Sequence, residues 1–376
     1  MRIGGGAVDD LGEVVAGLGH GRPLIVTDGY LVGTGAVDRM VANLKEAGLQ
    51  PAVFAETVPD PTTASLEAGV AAVQAHDADC LVGFGGGSPM DTAKALGLLA
   101  RQGGHMRDYK APRLNTGPAL PVIAVPTTAG SGSEATQFTV ITDSDTDEKM
   151  LCPGLAFLPV AAVVDYRLTL TMPPRLTADT GVDALTHAVE AYVSRKANPF
   201  SDGLALQAIG TIGQVLRRVY TDGQDVQARE AMMLAATQAG IAFSNSSVAL
   251  VHGMSRPIGA HFHVAHGLSN AMLFPAVTAF SVESAESRYA DCARALGAAS
   301  ADAPDATAAA DLVTALEELC RDVEVPTPKS YGIDRAVWDE RVPVMAEQAL
   351  ASGSPANNPR VPTAEEIREL YGRIYG

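Results

Sequence analysis

Four of the eight histidines lie within fifteen residues, in the segment VHGMSRPIGAHFHVAHG. A second polar pair, Asp183 and His187, stands four residues apart in the apolar stretch TGVDALTHAVEAYVS. Residues four apart on a helix project from one face, so this carboxylate and imidazole can reach the same ion. Their apolar neighbours predict burial, and a buried polar pair needs a partner. The pattern predicts a metal site; a plain Asp–His hydrogen bond is the alternative.

The donor types limit the metal and its role. One carboxylate with several imidazoles suits Fe(II), Zn(II), Co(II) or Mn(II) and leaves a coordination position open for water or a substrate oxygen. No cysteine accompanies the histidines, which favours a catalytic ion over a structural one. The four cysteines of the chain are widely spaced, so we expect buried free thiols and no disulfide framework.

Two glycine-rich loops follow apolar strands. In CLVGFGGGSPMDTAKA, the glycines 85–87 and Ser88 precede a helix opened by Pro89, and free backbone amides at a helix amino end attract phosphate. The loop AVPTTAGSGSEAT offers the hydroxyls of Thr127 and Thr128 to phosphate or ribose oxygens. Ordinary strand-to-helix turns with a serine cap remain the alternative.

Asp28 ends the first apolar strand, LIVT at 24–27. A carboxylate there can accept a hydrogen bond from a ribose 2′-hydroxyl and repel a 2′-phosphate. Together with the glycine-rich loops it favours NAD over NADP. A turn or helix-cap aspartate is the alternative.

Composition excludes several classes of function. The 376 residues have a formal charge of −16 and no basic run, which argues against nucleic-acid binding. Hydrophobic residues make up 47% and charged residues 19%, the balance of a packed globular protein. The sequence contains no run of about 18 apolar residues, and its amino terminus lacks a basic segment followed by an apolar stretch. We therefore expect a cytoplasmic protein that does not span a membrane.

The elements that position these residues fall into two halves. Short β-branched runs alternate with helical patterns through the first 170 or so residues, which predicts a largely parallel, helix-covered sheet; the predicted strands are 24–27, 52–55, 80–84, 122–125 and 160–164. Long Ala- and Leu-rich helical segments follow Pro173 and Pro174; they lie near 182–194, 201–219, 227–243, 283–297, 307–322, 335–350 and 364–374. We expect a dinucleotide-binding α/β domain at 1–173, a helical metal-binding and substrate domain at 174–376, and an ordered surface loop at 351–363.

These motifs resemble those of the iron-containing, group III alcohol dehydrogenases. The resemblance runs from about residue 4 to the carboxyl end; its hallmarks are GGGSPMDTAKA, PTTAGSGSEAT, TGVDALTHAVEAYVS and HGMSRPIGAHFHVAHG. It implies a Rossmann-like amino-terminal domain, an all-α carboxyl-terminal domain in a dehydroquinate synthase-like architecture, and a cleft holding NAD(P) and a divalent metal. Iron or zinc is the usual metal, Fe(II) being favoured, and a homodimer is implied.

Site residues follow from the resemblance position by position. The implied metal ligands are Asp183, His187, His252 and His266. The implied cofactor-binding residues are Asp28, Gly86, Gly87, Ser88, Asp91, Thr127, Thr128, Lys149 and Leu176.

The chain departs from the family pattern at two positions. Arg256 stands four residues after His252, where many relatives have a histidine thought to relay the alcohol proton, and arginine stays protonated near neutral pH. Ala265 stands where proline often precedes the last ligand. Arg256 is either a structural guanidinium or an anchor for an anionic substrate. The relay then falls to His263, or to His261; a helix-surface histidine would look the same.

The expected function is NAD-dependent, metal-dependent oxidation of a small alcohol or reduction of an aldehyde. A substrate with a carboxylate, phosphonate or sulfonate is favoured if Arg256 reads it. The alternatives are a maleylacetate- or hydroxyacid-type oxidoreductase of the same family and a metal- and NAD-dependent lyase resembling dehydroquinate synthase. A non-enzymatic NAD sensor or metal store would retain the glycine-rich loop without needing an open coordination position.

Overall fold

The computed structural model describes all 376 residues and divides into two compact units. Unit 1 comprises Met1–Thr128 and Gly132–Leu170. Unit 2 comprises Thr171–Gly376 together with the three residues Ala129–Ser131.

Unit 1 contains a six-stranded sheet in the order β1-β8-β5-β4-β2-β3, and every neighbouring pair is parallel. Its strands are β1 (Arg2–Ile3), β2 (Pro23–Val26), β3 (Ala52–Phe54), β4 (Cys80–Gly85), β5 (Val122–Pro126) and β8 (Ala161–Val164). A separate antiparallel hairpin consists of β6 (Phe138–Thr142) and β7 (Lys149–Pro153). The predicted parallel α/β architecture is confirmed, whereas strand β1 and the hairpin were not predicted from the sequence.

Helices cover both faces of this sheet; they are α1 (Leu11–Gly17), α2 (Gly29–Gly33), α3 (Ala36–Glu46), α4 (Ser65–His76) and α5 (Gly87–Gln102). Side chains alternate across the sheet plane along each strand. Leu24 and Leu81 therefore pack in one core cluster, whereas Ile25 and Val82 pack in another. A strand buried on both faces must be apolar throughout, which explains the uninterrupted hydrophobic run of β4.

Two charged side chains of α5, Lys94 and Asp91, fix the second glycine-rich loop against that helix. Lys94 Nζ donates to Ser133 Oγ at 2.8 Å, to Phe138 O at 2.8 Å, and to O and Oγ1 of Thr136 at 3.1 Å each. The Asp91 carboxylate accepts from Ser133 Oγ at 2.7 Å and from the Val140 amide at 2.9 Å. Burial lowers the pKa of Lys94 to about 8, while the Asp91 and Glu134 carboxylates oppose that shift. The loop is thus tied to the helix that follows the first glycine-rich loop.

Unit 2 is helical, as predicted. Its helices are α6 (Pro174–Val193), α7 (Pro199–Thr221), α8 (Val226–Asn245), α9 (Leu250–Phe262), α10 (His266–Ser281), α11 (Glu286–Leu296), α12 (Asp305–Asp322), α13 (Pro328–Tyr331), α14 (Arg335–Ala351) and α15 (Ala364–Ile374). Helices α9 and α10 were not predicted from the sequence, because Pro257 and Pro275 lie inside them and proline normally ends a helix.

The segment 351–363 is ordered, but the expectation of a surface loop was wrong in part. Ser354–Asn357 form a 3-10 turn, and Ser354, Pro355 and Asn358 are buried. Pro355 packs directly against Gly253 of α9, where an added Cβ would lie 2.7 Å from its Cγ. The segment therefore supports a helix that contains one of the predicted metal ligands.

No single helix has the length and apolar composition needed to cross a membrane. By length and composition only, α8 and α9 pass that test together as one pair, bent by 105°.

Candidate metal centre and nucleotide-binding edge

Helix α6 presents three acidic or imidazole side chains on one buried face. Pro174 opens the helix at its first position, where the missing amide hydrogen costs nothing. Asp183, His187 and Glu190 follow at spacings of four and three residues, so they lie one above another along the helix. All three are buried, which satisfies the expectation drawn from their apolar neighbours.

Helices α9 and α10 bring His252 and His266 to the same place. One potential ligand atom from each of Asp183, His187, His252 and His266 lies within 4.8 Å of all the others. From Asp183 Oδ1, His252 Nε2 is at 3.6 Å, His187 Nδ1 at 3.8 Å and His266 Nε2 at 4.0 Å. The structure therefore brings together the four residues that the sequence predicts as metal ligands.

Exposure differs within this Asp–His₃ cluster. The side chains of Asp183, His187 and His252 are 3–4% exposed, whereas that of His266 is 38% exposed. Among the four side chains, His266 is therefore the one that solvent or a small molecule can reach. This one-sided access is typical of an ion with an open coordination position.

The electrostatics of the cluster favour a cation. Burial alone would raise the pKa of Asp183, but the three neighbouring imidazoles outweigh it and hold that pKa below its usual range. Burial lowers the pKa of His187 to about 4, so this imidazole is neutral near pH 7. No lysine or arginine lies within ion-pair distance of Asp183, although a buried charge needs a partner.

The nitrogen atoms also fit an ion. Nδ1 of His187 is buried without a hydrogen-bond partner, and burying such an atom is costly unless it binds something. Its ring is held between Phe243, stacked at 4.2 Å, and His252, stacked at 4.4 Å. A divalent cation would bind this nitrogen and neutralise Asp183 at once, so the residues present fit the implied metal.

Two polar residues around the cluster were missed by sequence reasoning. Glu190 accepts hydrogen bonds from His252 Nδ1 and from two backbone amides. Asn270 donates to Asp183 Oδ1 at 2.6 Å and lies 3.1 and 3.2 Å from Nε2 of His252 and His266. The signal was helical spacing, because Glu190 lies seven residues after Asp183 and Asn270 lies four after His266.

Arg256 is buried one helical turn after His252. Its Nη1 donates to Ser354 Oγ at 2.9 Å, and no carboxylate lies within 4.0 Å of the guanidinium. Burial lowers the pKa of Arg256 to about 10, against the influence of the Glu190 carboxylate, so the side chain stays charged near pH 7.

The two relay candidates lie outside the Asp–His₃ cluster. His263 is exposed and follows α9 in the left-handed conformation, with φ 54°. His261 Nε2 lies 2.9 Å from Gln348 Oε1. A relay role for His263 stays a prediction.

The predicted cofactor residues of unit 1 cluster at the carboxyl edge of the sheet. Asp28, Gly86 and Thr127 each follow one of the adjacent strands β2, β4 and β5. Gly86 precedes the first residue of α5, and no side chain caps this end, so the first amides are available to a ligand. A Cβ on Gly86 would lie 3.4 Å from Thr128 Cγ2, which shows how closely the two loops approach.

The side chains of four predicted cofactor residues have partners inside the protein. Asp28 Oδ1 caps α2 by accepting from the Leu31 amide at 2.9 Å. Lys149 Nζ lies 2.9 Å from Asp60 Oδ1, and the Asp60 amide donates to Ser88 Oγ at 3.3 Å. The carboxylate of Asp91 is buried and committed to Ser133 and Val140, as described above. Gly87 begins α5 beside Ser88, and Leu176 lies exposed on α6.

A second group, His20, Asp79 and Cys80, also has converging ligand atoms. The Asp79 carboxylate accepts from the amides of Gly21 at 2.7 Å and Arg22 at 3.0 Å, so it closes the turn before β2. Burial raises the pKa of the Cys80 thiol far above its usual range, whereas a metal needs the thiolate. We interpret this group as part of the turn.

Family models and relatives match nearly the whole length of this chain. The model for the iron-containing alcohol dehydrogenases matches residues 1–166, and the model for the C-terminal part of that family matches residues 177–375. The NAD-dependent methanol dehydrogenase of Bacillus methanolicus is 38% identical over 98% of this chain and 96% of its own length. The lactaldehyde reductase of Escherichia coli (strain K12) is 37% identical, with 98% and 96% covered.

A solved structure of 1,3-propanediol oxidoreductase superimposes with a TM-score of 0.94 at 35% identity, covering 99% of this chain and 97% of that one. A parallel α/β unit with glycine-rich loops, followed by a helical unit with an Asp–His₃ cluster, thus defines a metal-dependent dehydrogenase class. The chain belongs to the iron-containing alcohol dehydrogenase family. The expected enzyme class and the dehydroquinate synthase-like architecture are confirmed.

The spacing of α6 and α10 generates a prediction. A Cβ on Gly267 would lie 2.5 Å from the backbone oxygen of Asp179 and 3.3 Å from Asp183 Cβ, and backbone cannot move aside easily. Gly267→Ala should push α10 away from α6 and displace His266. Because metal sites tolerate only about 0.5 Å of misplacement, we expect roughly tenfold weaker Zn²⁺ binding, measured by chelator competition.

Gly203→Ala is the matched control. Gly203 lies exposed in α7 with no atom within 4 Å of an added Cβ, so Zn²⁺ affinity should not change. The free energy of unfolding should rise by about 0.5–1 kcal/mol, since alanine favours the helix. Unchanged Zn²⁺ affinity in Gly267→Ala would show that the spacing of the two helices does not set the position of His266.

Proposed function

We propose that this protein interconverts a small alcohol and the corresponding aldehyde with NAD(H), using a divalent metal held by Asp183, His187, His252 and His266. The observation that supports this proposal most directly is the Asp–His₃ cluster, in which three ligands are buried and His266 is partly exposed. A metal at such a site polarises an alcohol or carbonyl oxygen, and NAD accepts or supplies the hydride. Fe(II) is the favoured ion, in keeping with the family, and Zn(II) is the alternative.

The residues of the chain have distinct tasks in this proposal. Asp183 supplies the negative charge of the donor set, and the neutral imidazoles supply lone pairs. Gly86, Gly87 and Ser88 would hold the pyrophosphate of NAD at the amino end of α5. Thr127, Thr128, Lys149 and Leu176 are proposed for the ribose and nicotinamide side. Asp91 acts on the second loop through Ser133, as a positioning residue.

Relatives support a small substrate. The proteins described above are named for methanol, lactaldehyde and 1,3-propanediol. The buried guanidinium of Arg256 is the basis of a finer proposal about the substrate. Its one hydrogen-bond acceptor is Ser354 Oγ, although a guanidinium offers five N–H donors. We propose that Arg256 binds an anionic group of the substrate, as in hydroxyacid-type oxidoreductases.

We also propose that the protein is a cytoplasmic homodimer. The two-residue strand β1 forms one edge of the sheet and exposes Ile3 by 50%; an edge strand can pair with a second chain. His263 is proposed as the proton relay in place of the histidine that Arg256 replaces.

The first prediction for this function concerns the metal. Asp183→Ala removes the only charged donor, so metal content after desalting and NADH formation from a small alcohol should fall together by at least about 100-fold. The measurements are metal analysis, initial rates and circular dichroism, the last to confirm folding. His76→Ala, a histidine change in unit 1, should retain both. Full activity of wild-type protein after chelator stripping would refute a metal mechanism, and absence of net NADH formation would favour a lyase.

The second prediction concerns the choice of dinucleotide. Asp28→Asn retains an oxygen that can cap α2 but removes the charge that would repel a 2′-phosphate. We expect the ratio of kcat/KM for NADPH to that for NADH to rise about tenfold, which corresponds to about 1.4 kcal/mol. Steady-state kinetics with both cofactors measures it. An unchanged ratio would show that another residue reads the ribose.

The third prediction concerns substrate charge. Arg256→Met retains length and removes the guanidinium, so kcat/KM for glyoxylate should fall about 10–100-fold, the effect of losing a charge-assisted hydrogen bond. The loss for neutral glycolaldehyde, which has the same chain length, should stay below about threefold. Arg229→Met is the control, because Arg229 is a buried arginine held by Gly223 O, Met172 O and Thr177 Oγ1. Arg229→Met should leave the ratio of kcat/KM for glyoxylate to kcat/KM for glycolaldehyde unchanged.

Equal losses for glyoxylate and glycolaldehyde in Arg256→Met would assign Arg256 a structural role and leave a neutral alcohol as the substrate.

A further inference from the structure

Glu190 contacts the metal centre without belonging to the ligand set. Its carboxylate is buried on α6 and accepts from His252 Nδ1 at 2.7 Å, from the Ala249 amide at 2.8 Å and from the Val251 amide at 2.6 Å. We propose that Glu190 is a positioning residue that fixes both the tautomer of His252 and the place of its backbone. This inference rests on the metal function proposed above.

The tautomer follows from donor and acceptor chemistry. An ionised carboxylate can only accept hydrogen bonds, so Nδ1 of His252 must bear the hydrogen. In a neutral imidazole the other nitrogen, Nε2, then presents its lone pair, which is the form that binds a metal. Nε2 is the atom that lies 3.6 Å from Asp183 Oδ1, inside the ligand cluster.

Asn270 lies beside the other nitrogen of the same ring. Its Nδ2 donates to Asp183 Oδ1 at 2.6 Å, an acceptor-only atom, which fixes the orientation of the amide. The second hydrogen of Nδ2 has two neighbours, His252 Nε2 at 3.1 Å and His266 Nε2 at 3.2 Å. A lone pair on His252 Nε2 can accept that hydrogen, so the contact agrees with the tautomer that Glu190 specifies.

The backbone contacts place the ring. Helix α9 begins at Leu250 and receives no cap from the side chain of Ala249, the residue before it. Glu190 supplies the missing acceptor from a neighbouring helix, and a carboxylate at a helix amino end is stabilised by the helix dipole. The backbone that precedes His252 and the ring of His252 are thus held by one side chain. That side chain lies on the helix that presents Asp183 and His187.

Other roles for Glu190 fit the contacts less well. Oε2 accepts two hydrogen bonds and Oε1 accepts one, so both oxygens are engaged by protein donors and neither faces the cluster unpartnered. Arg256 is influenced by the charge of Glu190 but forms no ion pair with it. If Glu190 only capped α9, its contacts would be limited to the two backbone amides. Its hydrogen bond with His252 Nδ1 is the additional contact that a cap does not need.

Glu190→Gln tests the proposal at nearly constant shape. The new amide NH₂ must face either the Val251 amide or the pair formed by the Ala249 amide and His252 Nδ1, so one donor opposes another. We expect the dissociation constant for Zn²⁺, measured by chelator competition, to rise about 10–100-fold. The imidazole nitrogen shifts of His252, recorded with ¹⁵N-histidine and assigned from His252→Gln, should show Nδ1–H in wild type and a mixture of tautomers in the variant.

Asp165→Asn is the matched control. Asp165 is a fully buried carboxylate of unit 1 that accepts from the amides of Gly6 and Val8 and pairs with Arg167. It should lower the free energy of unfolding and leave Zn²⁺ affinity unchanged. Equal Zn²⁺ affinity in wild type and Glu190→Gln, or equal losses in both variants, would overturn the inference.

If Glu190→Gln fails to fold, the ¹⁵N-histidine spectrum of the wild-type protein is the deciding measurement. A hydrogen on Nε2 of His252 in that spectrum would also overturn the inference. If wild-type protein binds no divalent ion, the proposed function fails instead. The two failures are therefore distinguishable.

Discussion

An ionised carboxylate inside the helical unit, far from any lysine or arginine partner, is the constraint on which the site depends. Asp183 is 4% exposed by side chain, and three imidazoles hold its pKa low. Burying such a charge is costly, so the surrounding fold must provide for it. Helix α6 presents Asp183 together with His187 and Glu190, Asn270 donates to its oxygen, and the histidines of α9 and α10 complete the surroundings. A cation bound in this cluster would neutralise the buried charge of Asp183.

The second requirement is that irregular helices deliver two of the ligands. Helix α9 contains Pro257, and α10 contains Pro275. Gly253 and Gly267 allow Pro355 and the backbone of Asp179 to approach within distances that a side chain would prevent. Close approach through small residues places His252 and His266 beside α6. The acceptors that these helices lack are supplied from other elements, as Glu190 does for the first amides of α9.

Much of this could be predicted from the sequence. Short β-branched runs located five of the six strands of the sheet, all except the two-residue strand β1, and the four-residue spacing of Asp183 and His187 indicated their shared face. Helices α9 and α10 were not predicted, because their prolines and glycines are helix breakers in isolation and only tertiary packing overrides that preference. Glu190 and Asn270 were missed because a polar residue at helical spacing has no assigned task until its partners are known. The commitment of Asp91 to Ser133 and Val140 is equally a long-range contact, invisible to local patterns.

The placement of all four candidate ligands in unit 2 has a thermodynamic consequence. A ligand that binds only the folded form adds its binding free energy to the stability of the part that binds it. Metal loading is therefore linked to the unfolding of the helical unit, while the residues proposed to discriminate between dinucleotides lie in unit 1. Substitutions that alter dinucleotide preference can accumulate in one unit without altering the donor set in the other. In the proposed function, the choice of dinucleotide and the binding of the metal are therefore determined in different units of the chain.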